Sequence, residues 1–247
     1  MSLETPSGTA LSAPLDTALD APLDNPVWAA LTGPHRGFAE TGPRGLAARY
    51  SADASPFAAL ADPADPRAWA DLAELTGPGE GVWVTGLLTP PAGWVTVVSV
   101  PGVQMDGRAV RAEADPEAVR LGPGDVPEML ELVSLTKPGP FFDRTVELGT
   151  YLGLRHEGRL VAMAGERMRP AGWSEISAVC THPAHRGKGL AGRLVRAVAA
   201  AVRERGDSPF LHAAAENAPA IRLYEAMGFT VRREPQFIGL RTPEKKP

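Results

Sequence analysis

Cysteine is nearly absent from this chain: Cys180 is the only one. No internal disulfide can form, and a lone thiol fits a reducing compartment. No Cys-His-Asn arrangement surrounds Cys180, so it reads as a small buried residue in a strand. Lysine is almost as scarce, limited to Lys137, Lys188, Lys245 and Lys246, so arginine carries nearly all the positive charge. That charge is not in excess. The formal net charge is -4, which argues against a nucleic-acid partner, since such binding needs a surplus of Lys and Arg. No run approaches the ~18 apolar residues of a membrane span. The N-terminus lacks the basic start and apolar stretch of a signal peptide. The expected setting is the cytoplasm, with neither membrane nor nucleic acid as partner. No His/Cys cluster has zinc spacing, so no metal is expected. A Walker loop, a Gly-x-Gly-x-x-Gly dinucleotide fingerprint and a Gly-x-Ser-x-Gly elbow are all missing.

What remains is an ordinary globular composition: 247 residues, 44% hydrophobic, enough to build a core. Residues 1–26 are rich in Pro, Ala, Thr, Ser and Asp and read as a loosely ordered arm. Leu11, Leu15, Leu19 and Leu23 recur every four residues, but Pro14 and Pro22 interrupt any helix there. Residues 27–115 read as a first α+β unit. Asp65-Pro66 starts a helix that Gly77-Pro78-Gly79 stops. Val82–Thr85 and Trp94–Val98 read as two strands joined by a turn. No catalytic constellation is visible in this half. Gly107–Asp115 has the small and charged residues of a linker.

Residues 116–247 read as a second unit. Strands are expected at Val119–Leu121, Thr150–Arg155, Arg159–Met168, Ser174–Thr181 and Phe210–Ala214, with one or two more in 229–241. Helices are expected at Asp125–Leu135, Gly189–Arg205 and Asn217–Met227. In the longest helix Leu190, Leu194, Val198 and Val202 form one buried stripe, and Gly206 closes it. The fold class is α/β in the α+β sense: a mixed, mostly antiparallel sheet with flanking helices.

The strongest local signal is Thr181-His182-Pro183-Ala184-His185-Arg186-Gly187-Lys188-Gly189-Leu190-Ala191, between a strand and a helix. Gly187 and Gly189 admit backbone angles that other residues resist. Successive N–H groups can then converge on an anion at the positive end of the following helix. Arg186 and Lys188 can add charge-assisted contacts. His182 and His185 can contact phosphate or simply face solvent.

This loop and its surroundings resemble the GNAT superfamily of N-acetyltransferases. Arg186, Gly189 and Ala191 match that superfamily's Arg/Gln-x-x-Gly-x-Gly/Ala motif. Asn217-Ala218-Pro219-Ala220-Ile221-Arg222-Leu223-Tyr224-Glu225-Ala226-Met227-Gly228-Phe229 looks like its second signature, Asn-x-x-Ala-x-x-Leu-Tyr-x-x-x-Gly-Phe. The resemblance covers roughly residues 117–241. The first half looks at most like a degenerate partner domain, which either shapes the acceptor pocket or carries a homodimer contact.

The resemblance implies acetyl-CoA as cosubstrate and a small-molecule or peptide amine as acceptor. It implies diphosphate binding by Arg186, Gly187, Lys188, Gly189, Leu190 and Ala191. Val179 and Thr181 would pair with the pantetheine arm through their backbone. Asn217 and Tyr224 are seven residues apart, about two helical turns, and so can line one groove. Asn217 can cap its helix, touch the cofactor, or both. Tyr224, with a phenol pKa near ~10, can protonate a departing thiolate. A lysine-like amine, pKa about 10.4, needs help to lose its proton. Glu175, Glu166 on the neighbouring strand, and a water relay are the alternatives for that base. A CoA-binding sensor without transfer and a transferase of longer acyl groups remain the competing readings.

Overall fold

The computed structural model describes residues 20–244. Its strands are β1 (Ala39–Thr41), β2 (Ala47–Tyr50), β3 (Ala58–Leu60), β4 (Gly81–Gly86), β5 (Val95–Asp106), β6 (Val119–Leu121), β7 (Tyr151–His156), β8 (Arg159–Glu166), β9 (Trp173–Thr181), β10 (Ser208–Ala214), β11 (Thr230–Arg233) and β12 (Gln236–Arg241). Its α-helices are α1 (Pro26–Leu31), α2 (Pro66–Thr76), α3 (Val126–Thr136), α4 (Leu190–Glu204) and α5 (Ala218–Ala226). β1, β2 and β3 form a small sheet. The other nine strands form one large sheet in the order β4-β12-β5-β10-β9-β8-β7-β6, with β11 also on β5. Only the β9–β10 pair is parallel within it.

The helices start and stop where the local chemistry requires. Asp65 accepts the Arg67 N–H at the head of α2, and Gly77 ends it at φ 98°. Asn217 accepts the Ala220 N–H at the head of α5, with Pro219 in the first turn. Gly206 follows α4 at φ 81°. In α4 the residues Leu194, Val195, Val198, Ala199 and Val202 are buried against Val103 and Met105 of β5, Ala162 and Ala164 of β8, Ile176 of β9 and Leu211 of β10. The opposite face of the sheet receives α3 through Met129 and Leu132, which meet Met163 of β8 and Cys180 of β9. Ala162 and Ala164 face α4 while Met163 faces α3, as a two-residue period demands. Burial pushes the Cys180 thiol up to about 11, so it is an inert packing group.

The large sheet crosses the boundary expected near residue 115. β4 and β5 come from the first segment and β12 from the end of the chain, yet β12 lies between them, antiparallel to both. β5 then pairs directly with β10. The two strands expected at Val82–Thr85 and Trp94–Val98 are present, but they do not pair with each other. Two strands antiparallel to a common neighbour run parallel to each other, and a tight turn cannot join parallel strands. Residues 87–94 instead step over β12.

The arm expected over residues 1–26 is docked in its described part. Leu23 is buried among Val27, Tyr50, Phe57 and Phe210, and its carbonyl accepts from Gln104 Nε2 at 2.9 Å. Leu11, Leu15 and Leu19 lie outside the described residues.

His35 gives this core a pH dependence. Its ring is buried, with Nδ1 2.9 Å from the Tyr50 hydroxyl, and burial lowers its pKa to about 4. The unfolded chain binds the proton near 6.5. Stability from neutral His35 is therefore complete above that value and lost as pH falls towards 4. Between pH 7 and pH 4.5 the loss should be about 2 kcal/mol. Urea unfolding should show that loss shrinking in His35→Gln; an unchanged slope would remove His35 as its source.

Candidate active site

β9 and β10 create the site by parting company. Their parallel pairing runs from Trp173/Ser208 to Ile176/Leu211 and then ends. Residues 177–181 of β9 and 212–214 of β10 continue without each other. A parallel ladder that stops this way leaves main-chain donors and acceptors facing a gap. β9 also carries an extra residue against β8: Met163 pairs with Cys180 and Gly165 with Ser177, two steps against three. Ala178 takes φ 52° there, a left-handed conformation that a residue with a Cβ adopts only under constraint. Such a bulge bends the strand and re-aims its neighbours.

At the end of the gap lies the glycine loop. Gly187 and Gly189 have φ of 76° and 73°, and a Cβ on either would meet no protein atom within 4 Å. A side chain there would meet open space at the cleft's edge instead of packing. The first main-chain bond into α4 is Arg193 N–H to Gly189 O at 3.1 Å. The amides of Leu190, Ala191 and Gly192 therefore have no acceptor inside the helix, and Gly189 has no side chain to cap them. The donor set suits a diphosphate: convergent N–H groups at a helix N-terminus, with the Arg186 guanidinium beside them.

The cleft measures about 870 Å³. Val179, Thr181, Arg186, Gly187, Gly189, Leu190, Ala191, Asn217 and Tyr224 all line it. Lys188 does not; its side chain is exposed. His185 reaches the rim, 5.0 Å from the His156 ring and 5.8 Å from His182. Among the described residues no cluster of His, Cys, Asp or Glu could hold a metal. Tyr224 is 8% exposed. Burial raises its pKa to about 12, so its hydroxyl keeps its proton across the physiological range.

The two carboxylates expected as bases are both already engaged. Glu166 is buried and accepts the Thr150 N–H at 2.9 Å, the Ser174 hydroxyl, and both terminal nitrogens of Arg205. It ties four segments together and does not line the cleft. Glu175 is fully buried behind the cleft wall. Its oxygens accept Arg167 Nε at 2.9 Å and Arg167 NH2 at 2.6 Å, and His212 Nδ1 lies 2.8 Å away. Burial pushes this carboxyl up, but the Arg167 charge and the His212 bond outweigh it and hold it at about 2. A carboxylate so acidic and so fully bonded is a poor proton acceptor. Glu175 faces Arg167 and His212 and does not line the cleft itself.

Sequence reasoning missed His212, Arg167 and an aromatic wall. His212 lines the cleft, and its Nε2 lies 3.2 Å from Gln104 Nε2. Gln104 is itself fixed by Arg232 NH1, which donates to its Oε1 at 2.9 Å. Phe57, Trp83, Val100 and Phe237 complete the wall. Three of these four come from the first segment, where no catalytic constellation was visible. The signal for His212 was the two-residue period: Phe210 and His212 share a face of β10. The wall had no such signal, because its members lie on four separate strands or strand ends.

The fold is a mixed sheet whose central parallel strands splay above a glycine loop and a helix N-terminus, and the comparisons find acetyltransferases of the same fold. Residues 151–238 match the family model of the FR47-like proteins. A protein of Novosphingobium aromaticivorans DSM 12444, assigned to the GNAT acetyltransferases, is 42% identical over 90% of this chain and 98% of its own, with a TM-score of 0.81. A GCN5-related N-acetyltransferase from Kribbella flavida shares the fold at 16% identity, over 88% of this chain and 95% of its own, with a TM-score of 0.57. Comparison of the sequence with curated proteins gives no match. The chain belongs to the GNAT family of acetyltransferases.

Proposed function

We propose that the protein transfers an acetyl group from acetyl-CoA to a primary amine. The observation that carries this reading is the run of unpaired main-chain donors from Gly187 to Gly192, opening onto the gap between β9 and β10. Arg186, Gly187, Gly189, Leu190 and Ala191 would hold the diphosphate. The unpaired length of β9 at Val179 and Thr181 would take the pantetheine amides, as a strand edge takes an added strand. Asn217 lines the same groove while capping α5.

When bound, acetyl-CoA supplies a thioester carbonyl carbon to the attacking amine. A main-chain N–H near Val179 donates to the carbonyl oxygen as charge develops there. His212 takes the proton of the amine on Nε2; Glu175 fixes the tautomer by accepting from Nδ1–H, a positioning role. The 3.2 Å contact from Gln104 to Nε2 is long enough to be given up to an incoming amine. Tyr224 donates its hydroxyl proton to the departing sulfur. Most of the rate gain comes from orientation of the two reactants in one cleft.

The test is titration calorimetry with CoA and acetyl-CoA, beside thermal unfolding. Both ligands should release heat and raise the unfolding temperature. Gly189→Val forces a β-branched residue into a left-handed backbone in the loop that lines the cleft. It should weaken CoA binding more than ~10-fold in a protein that still unfolds cooperatively. Absence of heat with the wild-type protein would end the acetyltransferase reading.

A further inference from the structure

The acceptor end of the cleft has a distinct chemistry. Phe57 at the start of β3 bridges to Trp83 of β4. The Phe57 and Phe237 rings are 6.1 Å apart, and Phe237 meets the His212 ring edge-on at 5.4 Å. Val100 of β5 lies against the same cavity. The wall is thus apolar and aromatic and ends at the imidazole. No Asp or Glu side chain among the described residues lines the cleft. Glu175, the nearest carboxylate behind it, is neutralised by Arg167. The Arg167 guanidinium also covers a face of Phe57, 4.9 Å from the ring centre, so that ring face is not open to a second cation. The charged side chains that do reach the cleft, Lys137, Arg186 and Arg196 among them, are cationic.

We infer that the acceptor is a monoamine with an aromatic or bulky apolar body, selected by the wall of Trp83, Phe237 and Phe57 and against acceptors with further positive charges. The inference rests on the acetyltransferase reading and names its substrate class. An apolar body gains by leaving water for this wall. A polyamine or aminoglycoside would bring additional ammonium groups into a cleft that offers no anion to pair them, and burying unpaired charge is costly. That asymmetry is how a site rejects a competitor as well as favouring its own substrate. The first segment of the chain then has a role: it builds the acceptor wall.

The experiment measures thiol release from acetyl-CoA with phenethylamine, isoamylamine, spermidine and kanamycin, beside CoA calorimetry on the same preparation. The kcat/KM for phenethylamine should exceed that for spermidine by on the order of 100-fold. Trp83→Ala and, as a milder change, Phe237→Leu should raise the phenethylamine KM by about 10-fold while the CoA heat persists. Spermidine or kanamycin used as well as phenethylamine would overturn the inference. So would CoA binding without turnover of any of the four amines. An absence of CoA heat would instead sink the acetyltransferase reading and take this inference with it.

Discussion

Arg167→Met is expected to destabilise the protein by about 3–5 kcal/mol at pH 7, the usual consequence of stranding one partner of a buried ion pair. The Arg167 side chain is 8% exposed and that of Glu175 is 0% exposed, and two hydrogen bonds join them. Methionine fills much of the same space but supplies no charge. Glu175 would keep only His212, and the burial that already pushes its carboxyl up would prevail. The pH dependence should then reverse sign. In the wild-type protein Glu175 titrates at about 2, below its unfolded value near 4.5. Its contribution is complete above ~4.5 and lost as pH falls towards 2. In Arg167→Met the folded carboxyl titrates above the unfolded value, so its penalty is absent below ~4.5 and grows as pH rises from there towards the raised folded value. Urea unfolding at pH 5 and pH 7 should show a smaller deficit at pH 5. Adding Glu175→Gln should recover part of the deficit, because a neutral amide needs no counter-charge. A single-variant deficit below about 1 kcal/mol would mean that water reaches this pair.

The contrast between legible and hidden parts of the site follows from how far each signal extends along the chain. The cradle was legible because its function is local. Two glycines, a helix start and an arginine within six residues suffice to aim main-chain nitrogens, and α4 announces itself through Leu194, Val198 and Val202. α5 was equally plain, with Asn217 and Gly228 at its ends. Glu175 was found as a position, but its partners were not. Its strand placement was readable, but the partner that neutralises it, Arg167, sits beyond the end of the neighbouring strand β8 and meets it only through tertiary structure. Burial alone would raise a carboxyl and make it a plausible base; burial plus a bidentate arginine does the opposite. The order β4-β12-β5 was hidden for a related reason. Val82–Thr85 and Trp94–Val98 are adjacent in sequence, and the usual expectation is that sequential strands pair. The competing strand, β12, is about 140 residues further on, and nothing near β4 or β5 records it. That insertion is also what brings Phe237 beside Phe57 and Trp83, so the acceptor wall and the sheet order were hidden together.

Tyr224→Phe is expected to lower kcat by between ~10²- and ~10⁴-fold, the range spanned by loss of a positioned general acid, with CoA affinity nearly unchanged. The phenol lies in the cleft on α5, two turns from Asn217, with its ring edge-on to Phe229 at 5.8 Å. Phenylalanine preserves that packing and removes only the hydroxyl, so a change in turnover reports chemistry and not collapse. The sign of the pH effect separates this role from a structural one. The raised pKa of about 12 keeps the proton in place, so an alkaline decline in wild-type kcat caused by Tyr224 should not begin until about pH 11. His212→Ala should lower kcat/KM by removing the proton acceptor, while the alkaline behaviour set by Tyr224 remains. Tyr224→Phe should lower the rate uniformly instead. It should also become sensitive to the leaving thiol. A donor whose thiol is more acidic departs without a proton and should recover part of the lost rate. Unchanged turnover in Tyr224→Phe, or a loss that no such donor restores, would leave the sulfur to be protonated by solvent and Tyr224 as a packing residue.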